Sequence, residues 1–411
     1  MSDLPKKINL NYIDQVTYLQ GMHRSGWPFV LSYLYKLQSD DGVLCDTYVD
    51  RTFLWGATGQ IPYTRPWIGF IHHTFDTSFS SYNNVTLLKN DNFLASLPHC
   101  KGLFIFSERS QSKWKRQIQK LGYSIPVKSL IHPTKFVDTR FTMTKFKKNP
   151  NRSIVQVGAW LRDNYAIYRL NNGNPSFTLE NGTVVKKAAL IGPKMEHYYK
   201  PFDFFRHFRP TKWKYPEIVP SVMWASTKPT ADAEPEEVKI TSINGELPKE
   251  ITSPVTDNVG EDGMSTGGMC RDIMCRDADF GLNKYVLGAI NMLSKYDESV
   301  VTYTQMSNEE YDNLFSENIV FIKLVDAAAV NTLQECVVRN TPIVVNPLPA
   351  IVEILGSGYP LYFDNLSDVP GLITLENIRA AYDYLVNMDK DSLKIVTFMS
   401  EIVNSDIYKS L

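Results

Sequence analysis

Asn331 and Thr332 stand where a helix would open, Glu335 lies one turn further in, and Asn340-Thr341-Pro342 marks where that helix must stop. The whole stretch from Asp326 to Gly356, DAAAVNTLQECVVRNTPIVVNPLPAIVEILG, orders helix, turn, strand and loop signals in a way that chemistry can use. The first amides of a helix lack internal acceptors, so a diphosphate placed there gains hydrogen bonds and a favourable dipole. A carboxylate near that start can accept both hydroxyls of a ribose, as acidic residues do in other nucleotide-binding α/β folds. Ile343-Val344-Val345 then reads as a strand that delivers the next loop to the end of a sheet, where ligands bind. Taken alone, Glu335 would suit an ordinary surface or capping role; the order of the surrounding signals is what points to donor binding.

Two further groups of residues lie just beyond buried-type strands. Ile154-Val155-Gln156-Val157 runs into Gly158, and Arg162 follows four residues later. The planar fork of an arginine suits a diphosphate, because it neutralises concentrated negative charge; a salt bridge or a solvated loop is the alternative. Ile68-Gly69-Phe70-Ile71 runs into His72, His73 and, further on, Asp76. His73 or Asp76, just beyond a strand end, can take the proton of a bound hydroxyl or orient a bound ligand. One of two adjacent histidines on a strand ordinarily points inward and serves as a hydrogen-bonded core residue. Ser107-Glu108-Arg109 is a weaker candidate for the acceptor side, and His132-Pro133-Thr134 for the start of a hinge. Lys113-Trp114-Lys115-Arg116 reads as either a solvated helix face or a contact with a phosphate-rich or membrane-surface acceptor.

These residues need sheets to hold them. At 411 residues the chain exceeds what one core usually organises, and short apolar runs alternate with longer helical patterns, the mark of parallel sheets covered by helices. The reading is an α/β protein with a first lobe over residues 1–148, a second over 149–390 and a closing helix over 391–411. Residues 135–152 form the hinge, and an acidic, Pro- and Ser-rich insertion covers about 225–283. Expected strands are 67–71, 102–106, 154–158, 187–192, 319–324 and 342–345. Expected helices include 111–121, 284–293, 309–315, 375–387 and 391–403.

Forty-three Lys and Arg balance forty-four Asp and Glu, so no global field is available to hold a nucleic acid. Five cysteines are scattered, and the closest pair, Cys270 and Cys275, lacks the spacing and neighbouring histidines of a metal site. Asp277-Ala278-Asp279 falls in the insertion, so no metal is expected. The beginning of the chain has no apolar leader, and no run approaches the roughly 20 apolar residues of a membrane span. A cytoplasmic protein is expected, with peripheral membrane contact left open.

The Asp326–Gly356 stretch resembles the donor-binding segment of GT-B glycosyltransferases, in which a glutamate-bearing helix is followed by G-T-P, a valine strand and a second acidic loop. Glu335, Asn340-Thr341-Pro342 and Glu353 match those positions, whereas the family's other glutamate, eight residues earlier, is replaced by Ala327 beside Asp326. The wording N-T, E-C, R-N-T-P and L-P-A is similar to sugar transferases of large DNA viruses, which would work in the host cytoplasm, and of bacterial surface-polysaccharide clusters. The resemblance implies two Rossmann-like doubly wound lobes facing across a cleft, with the last helix returning to the first lobe. It implies a hexosyltransferase-type reaction from a UDP-, GDP- or dTDP-linked sugar to a hydroxyl of a glycan, lipid-linked sugar or protein, without a metal. Donor contacts then fall to Gly158, Arg162, Asn331, Thr332 and Glu335, and catalytic roles to His72, His73, Asp76 and Arg162. A nucleotide-sugar epimerase of the same fold and a catalytically silent sugar-binding or assembly protein are the alternatives.

Overall fold

The computed structural model describes residues 5–12, 15, 26–54, 61–158, 160–163, 166–190, 300–303 and 306–411. In the first lobe, β1 (Ile8–Asn9), β2 (Val43–Asp46), β3 (Trp67–Ile71), β4 (Cys100–Ile105) and β5 (Val127–Ser129) lie side by side in chain order, all parallel. Side chains alternate across a strand, so each strand feeds two cores. Ile8, Cys45, Ile68, Phe70 and Phe104 meet Val30, Leu31 and Leu34 of α1 (Trp27–Leu34). Leu44, Trp67, Ile71, Leu103 and Ile105 meet the opposite layer: α2 (Val49–Leu54), α3 (Asn84–Leu87), α4 (Asp91–Ser96) and α5 (Glu108–Lys120).

The chain ends by returning to this lobe. Phe398, Met399, Ile402 and Ile407, from helices Ile395–Val403 and Asp406–Lys409, complete the core under α1. Ile407 presses so closely on β4 that a Cβ on Gly102 would lie 2.5 Å from its side chain, so that glycine is what lets the last helix seat. The two closing helices are therefore part of the packing of this sheet.

The second lobe has α6 (Met143–Lys148), β6 (Ser153–Val157), α7 (Ala166–Arg169), β7 (Ser176–Thr178) and β8 (Val184–Leu190). They are followed by β9 (Val301–Thr302), α8 (Asn308–Glu317), β10 (Ile319–Ile322), α9 (Asn331–Arg339), β11 (Ile343–Val345) and α10 (Pro349–Leu355). The strand order is β11-β10-β6-β8, with β7 antiparallel on one half of β8 and β9 parallel on the other. IVFI and IVV are buried along their whole lengths, as strands of a parallel sheet covered on both faces must be. Residues 135–152 do not act only as a connector: Phe141, Met143 and Phe146 are buried in the second core, which makes α6 part of that lobe.

The described topology has one point that matters for function. From β6 the chain moves to β8 and β9 on one side, then returns to place β10 on the other side of β6. The carboxyl ends of β6 and β10 thus flank a topological switch point, where open α/β sheets bind ligands. The two-lobed α/β architecture of the GT-B expectation is what the structure has. The insertion at about 225–283, the helix expected at 284–293, the Cys270–Cys275 pair and the Asp277–Asp279 pair lie outside the described residues.

Candidate functional site

At the switch point the loop after β6 is stitched to the loop after β10. The Asp163 amide donates to the Lys323 carbonyl and the Val325 amide to that of Leu161, both at 2.8 Å, while Arg162 and Leu324 form an antiparallel bridge. Gly158 turns the chain out of β6 with φ +80°, and a Cβ there would lie 2.9 Å from the Arg162 guanidinium carbon. The guanidinium is therefore laid across the glycine. Its Nη1 donates to the Trp160 carbonyl at 2.9 Å and its Nη2 to Thr332 Oγ1 at 3.1 Å. Gly158, Arg162 and Thr332, separated by 174 positions in the chain at most, meet in one place.

Thr332 belongs to the first turn of α9. The intrahelical ladder begins with Leu333 and Gln334 donating to the Val330 carbonyl, so the amides of Asn331 and Thr332 precede it. An arginine beside two leading amides and the positive end of a nine-residue helix is an anion-binding arrangement. The helix stops after Arg339 because Asn340 takes the left-handed conformation, φ +58°, and Pro342 follows two residues on.

Glu335 requires a correction. Its carboxylate does not open on the crevice: the residue is 1% exposed and is held by α8. Tyr311 Oη donates to Glu335 Oε2 at 2.5 Å, and Arg339, one turn on, brings Nη1 to 4.0 Å of Oε1 while its Nη2 donates to Asp312 Oδ1 at 2.9 Å. Burial, then the charge of Glu335, pushes the Tyr311 phenol well above its ordinary range, so it remains a donor. A carboxylate with a cation at i+4 and a phenol on the neighbouring helix has partners inside its own lobe.

The first-lobe candidates separate. His72 is a core histidine: its ring lies 4.4 Å from Trp27, 4.1 Å from Tyr48 and 4.9 Å from Phe106, with Nε2 2.9 Å from the Thr47 carbonyl. Burial, outweighing that hydrogen bond, holds it neutral with a pKa well below the usual range. Asp76 closes its own loop by accepting from the Ser78 amide and hydroxyl and the Phe79 amide, at 3.0, 2.9 and 3.0 Å. His132 packs near Trp27 and Phe106 and is pushed down to about 4 by burial, so it too belongs to the core.

His73 is different. Its Nδ1 lies 3.7 Å from Asp50 Oδ1, and its ring lies 5.4 Å from Trp160, carried across the crevice by the β6 loop and also set against Phe79 at 5.2 Å. Asp50, wholly buried, accepts the amides of His72 at 2.6 Å and His73 at 3.3 Å. Burial lowers the His73 pKa against the pull of Asp50, and burial raises that of Asp50 against the pull of His73. The sequence reading missed Asp50. The signal was Asp46-Thr47-Tyr48-Val49-Asp50-Arg51, three charges within six residues after a short apolar run.

Glu353 also lies elsewhere than expected. It sits in α10, not in a loop, and reaches over to the first lobe, where its two oxygens accept the amides of Glu108 at 3.0 Å and Arg109 at 3.3 Å. With Ser107 accepting from Ser110 at 3.1 Å, the leading amides of α5 are satisfied from two lobes at once. Ala328 packs into the first-lobe core with Trp27 and Phe106, a third contact between the lobes. Among the described residues, no group of three or more His, Cys, Asp or Glu side chains is placed to hold a metal ion, and no helix is long and apolar enough to cross a membrane.

No family model matches the chain, and no curated protein matches it either. Solved structures to which it is similar include a UDP-forming α,α-trehalose-phosphate synthase from Burkholderia xenovorans, 8% identical over 91% of this chain and 76% of that one, TM-score 0.42. The E. coli trehalose-6-phosphate structure bound with UDP-2-fluoro glucose is 11% identical over 92% and 78%, TM-score 0.39. TarM of S. aureus, solved with UDP, is 11% identical over 92% and 58%, TM-score 0.39. Likeness this loose assigns no activity; the crevice has to carry it.

Proposed function

We propose that the chain is a glycosyltransferase that moves a sugar from a nucleotide-sugar donor, linked to UDP, GDP or dTDP, to a hydroxyl of a glycan, lipid-linked or protein acceptor. The observation that carries this reading is Arg162, hydrogen-bonded to Thr332 at the opening turn of α9, at the switch point of the second sheet. In the proposal the donor diphosphate lies against the Arg162 guanidinium and the amides of Asn331 and Thr332, with Gly158 making room for that guanidinium. The acceptor oxygen attacks the anomeric carbon as the bond from that carbon to the phosphate oxygen breaks. The departing diphosphate keeps the electron pair, and Arg162 stabilises its growing charge. The hydroxyl proton passes to His73, neutral near pH 7 because its burial favours that form, while Asp50 orients the ring and stabilises it once protonated. Positive charge for the leaving group is thereby assigned to arginine and helix amides, and metal independence is part of the proposal.

A second reading, a nucleotide-sugar binder without turnover, is favoured by one observation: Ala327 stands where the family has an acid, and Glu335 is committed within its lobe. The test is to incubate the protein with each nucleotide sugar, with and without a mixture of hydroxyl acceptors, and to measure free nucleotide and sugar-bearing product. Acceptor-dependent release of both is expected. Epimerised donor without transfer, or binding without any release, would sink the transferase reading.

A further inference from the structure

The face of α5 that looks to solvent carries a second kind of chemistry. Arg109, Lys113, Arg116 and Lys120 follow one another at spacings of four, three and four, which places them within about 60° of arc on one side of the helix and over about 16 Å of its length. Arg109, Arg116 and Lys120 are exposed and Lys113 is half-buried, its ammonium 5.4 Å from the Phe75 ring. Among the described residues no Asp or Glu forms an ion pair with any of the four. The chain as a whole is nearly neutral, at −1, so this row is a local concentration of charge set on a balanced surface. It begins beside the opposite lobe: the amide of Arg109 is one of the two held by Glu353.

We propose that this row is a landing track for a linear polyanion, a chain bearing repeated phosphate, sulfate or carboxylate groups, running along α5 toward the opposite lobe. Four cations in single file match the charge of a linear polymer. A nucleic-acid single strand would in addition seek aromatic faces for its bases, but Trp114, the helix's own aromatic residue, is fully buried against Phe75 and Phe93. An acidic membrane would in addition take apolar anchors. Leu121 is 40% exposed at the helix end, and one leucine falls well short of the two signals that stable anchoring needs.

The test needs neither nucleotide nor sugar, so its outcome is separate from that of the transferase reading. Fluorescent short-chain inorganic polyphosphate is titrated into the whole protein, into a variant carrying Arg109→Gln, Lys113→Gln, Arg116→Gln and Lys120→Gln, and into a control carrying Lys145→Gln, Lys147→Gln and Lys148→Gln on α6. The wild type and the control are expected to bind alike. The logarithm of the binding constant should fall with the logarithm of salt at a slope near −3, as for four cations on a single-stranded polyanion. The fourfold variant should bind at least tenfold more weakly while keeping its melting temperature. Equal binding by the fourfold variant, loss in the α6 control, or binding to vesicles of acidic phospholipid with none to polyphosphate would each overturn the proposal.

Discussion

Glu335 in the second lobe and Asp50 in the first are both carboxylates withdrawn from water, yet they are satisfied in opposite ways. Glu335 is held by a phenol and a guanidinium from two packed helices of its own lobe, at 2.5 Å and 4.0 Å. Asp50 accepts two backbone amides and faces, at 3.7 Å, an imidazole that itself looks across to Trp160 of the other lobe. Burying a charge is tolerated only where partners replace water, and the nature of those partners separates framework from chemistry. Partners that hold their charge state fix two helices together. A partner that can gain or lose a proton at a crevice is available for a reaction.

The largest effect that would sharpen this contrast is on stability. Glu335→Ala leaves the buried Tyr311 hydroxyl without this acceptor and removes the carboxylate 4.0 Å from Arg339, which keeps Asp312, so the loss should be about 1–3 kcal/mol. Chemical denaturation should show that loss, whereas a change under about 1 kcal/mol would mean the carboxylate is not the clasp described here. Asp50→Asn should cost both stability and rate, because its single carbonyl oxygen can keep only one of the two backbone N–H groups that separate carboxylate oxygens now accept. Turnover should fall on the order of tenfold, a part of what general base catalysis supplies.

The sign of the pH effect follows from the charges. In the proposed reaction His73 must be neutral, so the rate should decline as the pH drops through its pKa, which burial has already lowered. Asp50 raises that pKa, so Asp50→Asn should move the acid limb of the profile to still lower pH. A limb that stays fixed in the variant would remove His73 from the mechanism.

The same contrast explains what could be read from the chain. β3, β6, β10 and the helix at 375–387 were legible because unbroken apolar runs and three-four spacing are local properties, and the stop at Asn340-Thr341-Pro342 is local chemistry. Gly158 and Arg162 were legible as residues following β6 and Thr332 as part of a helix start, but their meeting, through the Arg162–Thr332 hydrogen bond, was not. The fate of Glu335 was not legible: it depends on Tyr311, and helix α8 gives no sign in its sequence of which neighbour it will face. Asp50 escaped because β2 is four residues long and its buried acids look like a solvated turn. Glu353 was taken for a loop residue because its seven-residue helix is fixed by a contact with α5, 245 positions away.

The proposed function places the donor diphosphate on Arg162 and the start of α9, with Glu335 outside that contact. Calorimetric titration of UDP, GDP and dTDP into the wild type, Arg162→Ala and Glu335→Gln tests it directly. Loss of a charge-assisted hydrogen bond of about 1.5–3 kcal/mol predicts about 10- to 100-fold weaker binding of the preferred nucleotide by Arg162→Ala. Glu335→Gln, measured while folded, should bind within about twofold of wild type, since its side chain lies outside the proposed contact. Undiminished binding by Arg162→Ala together with loss in Glu335→Gln would contradict the account.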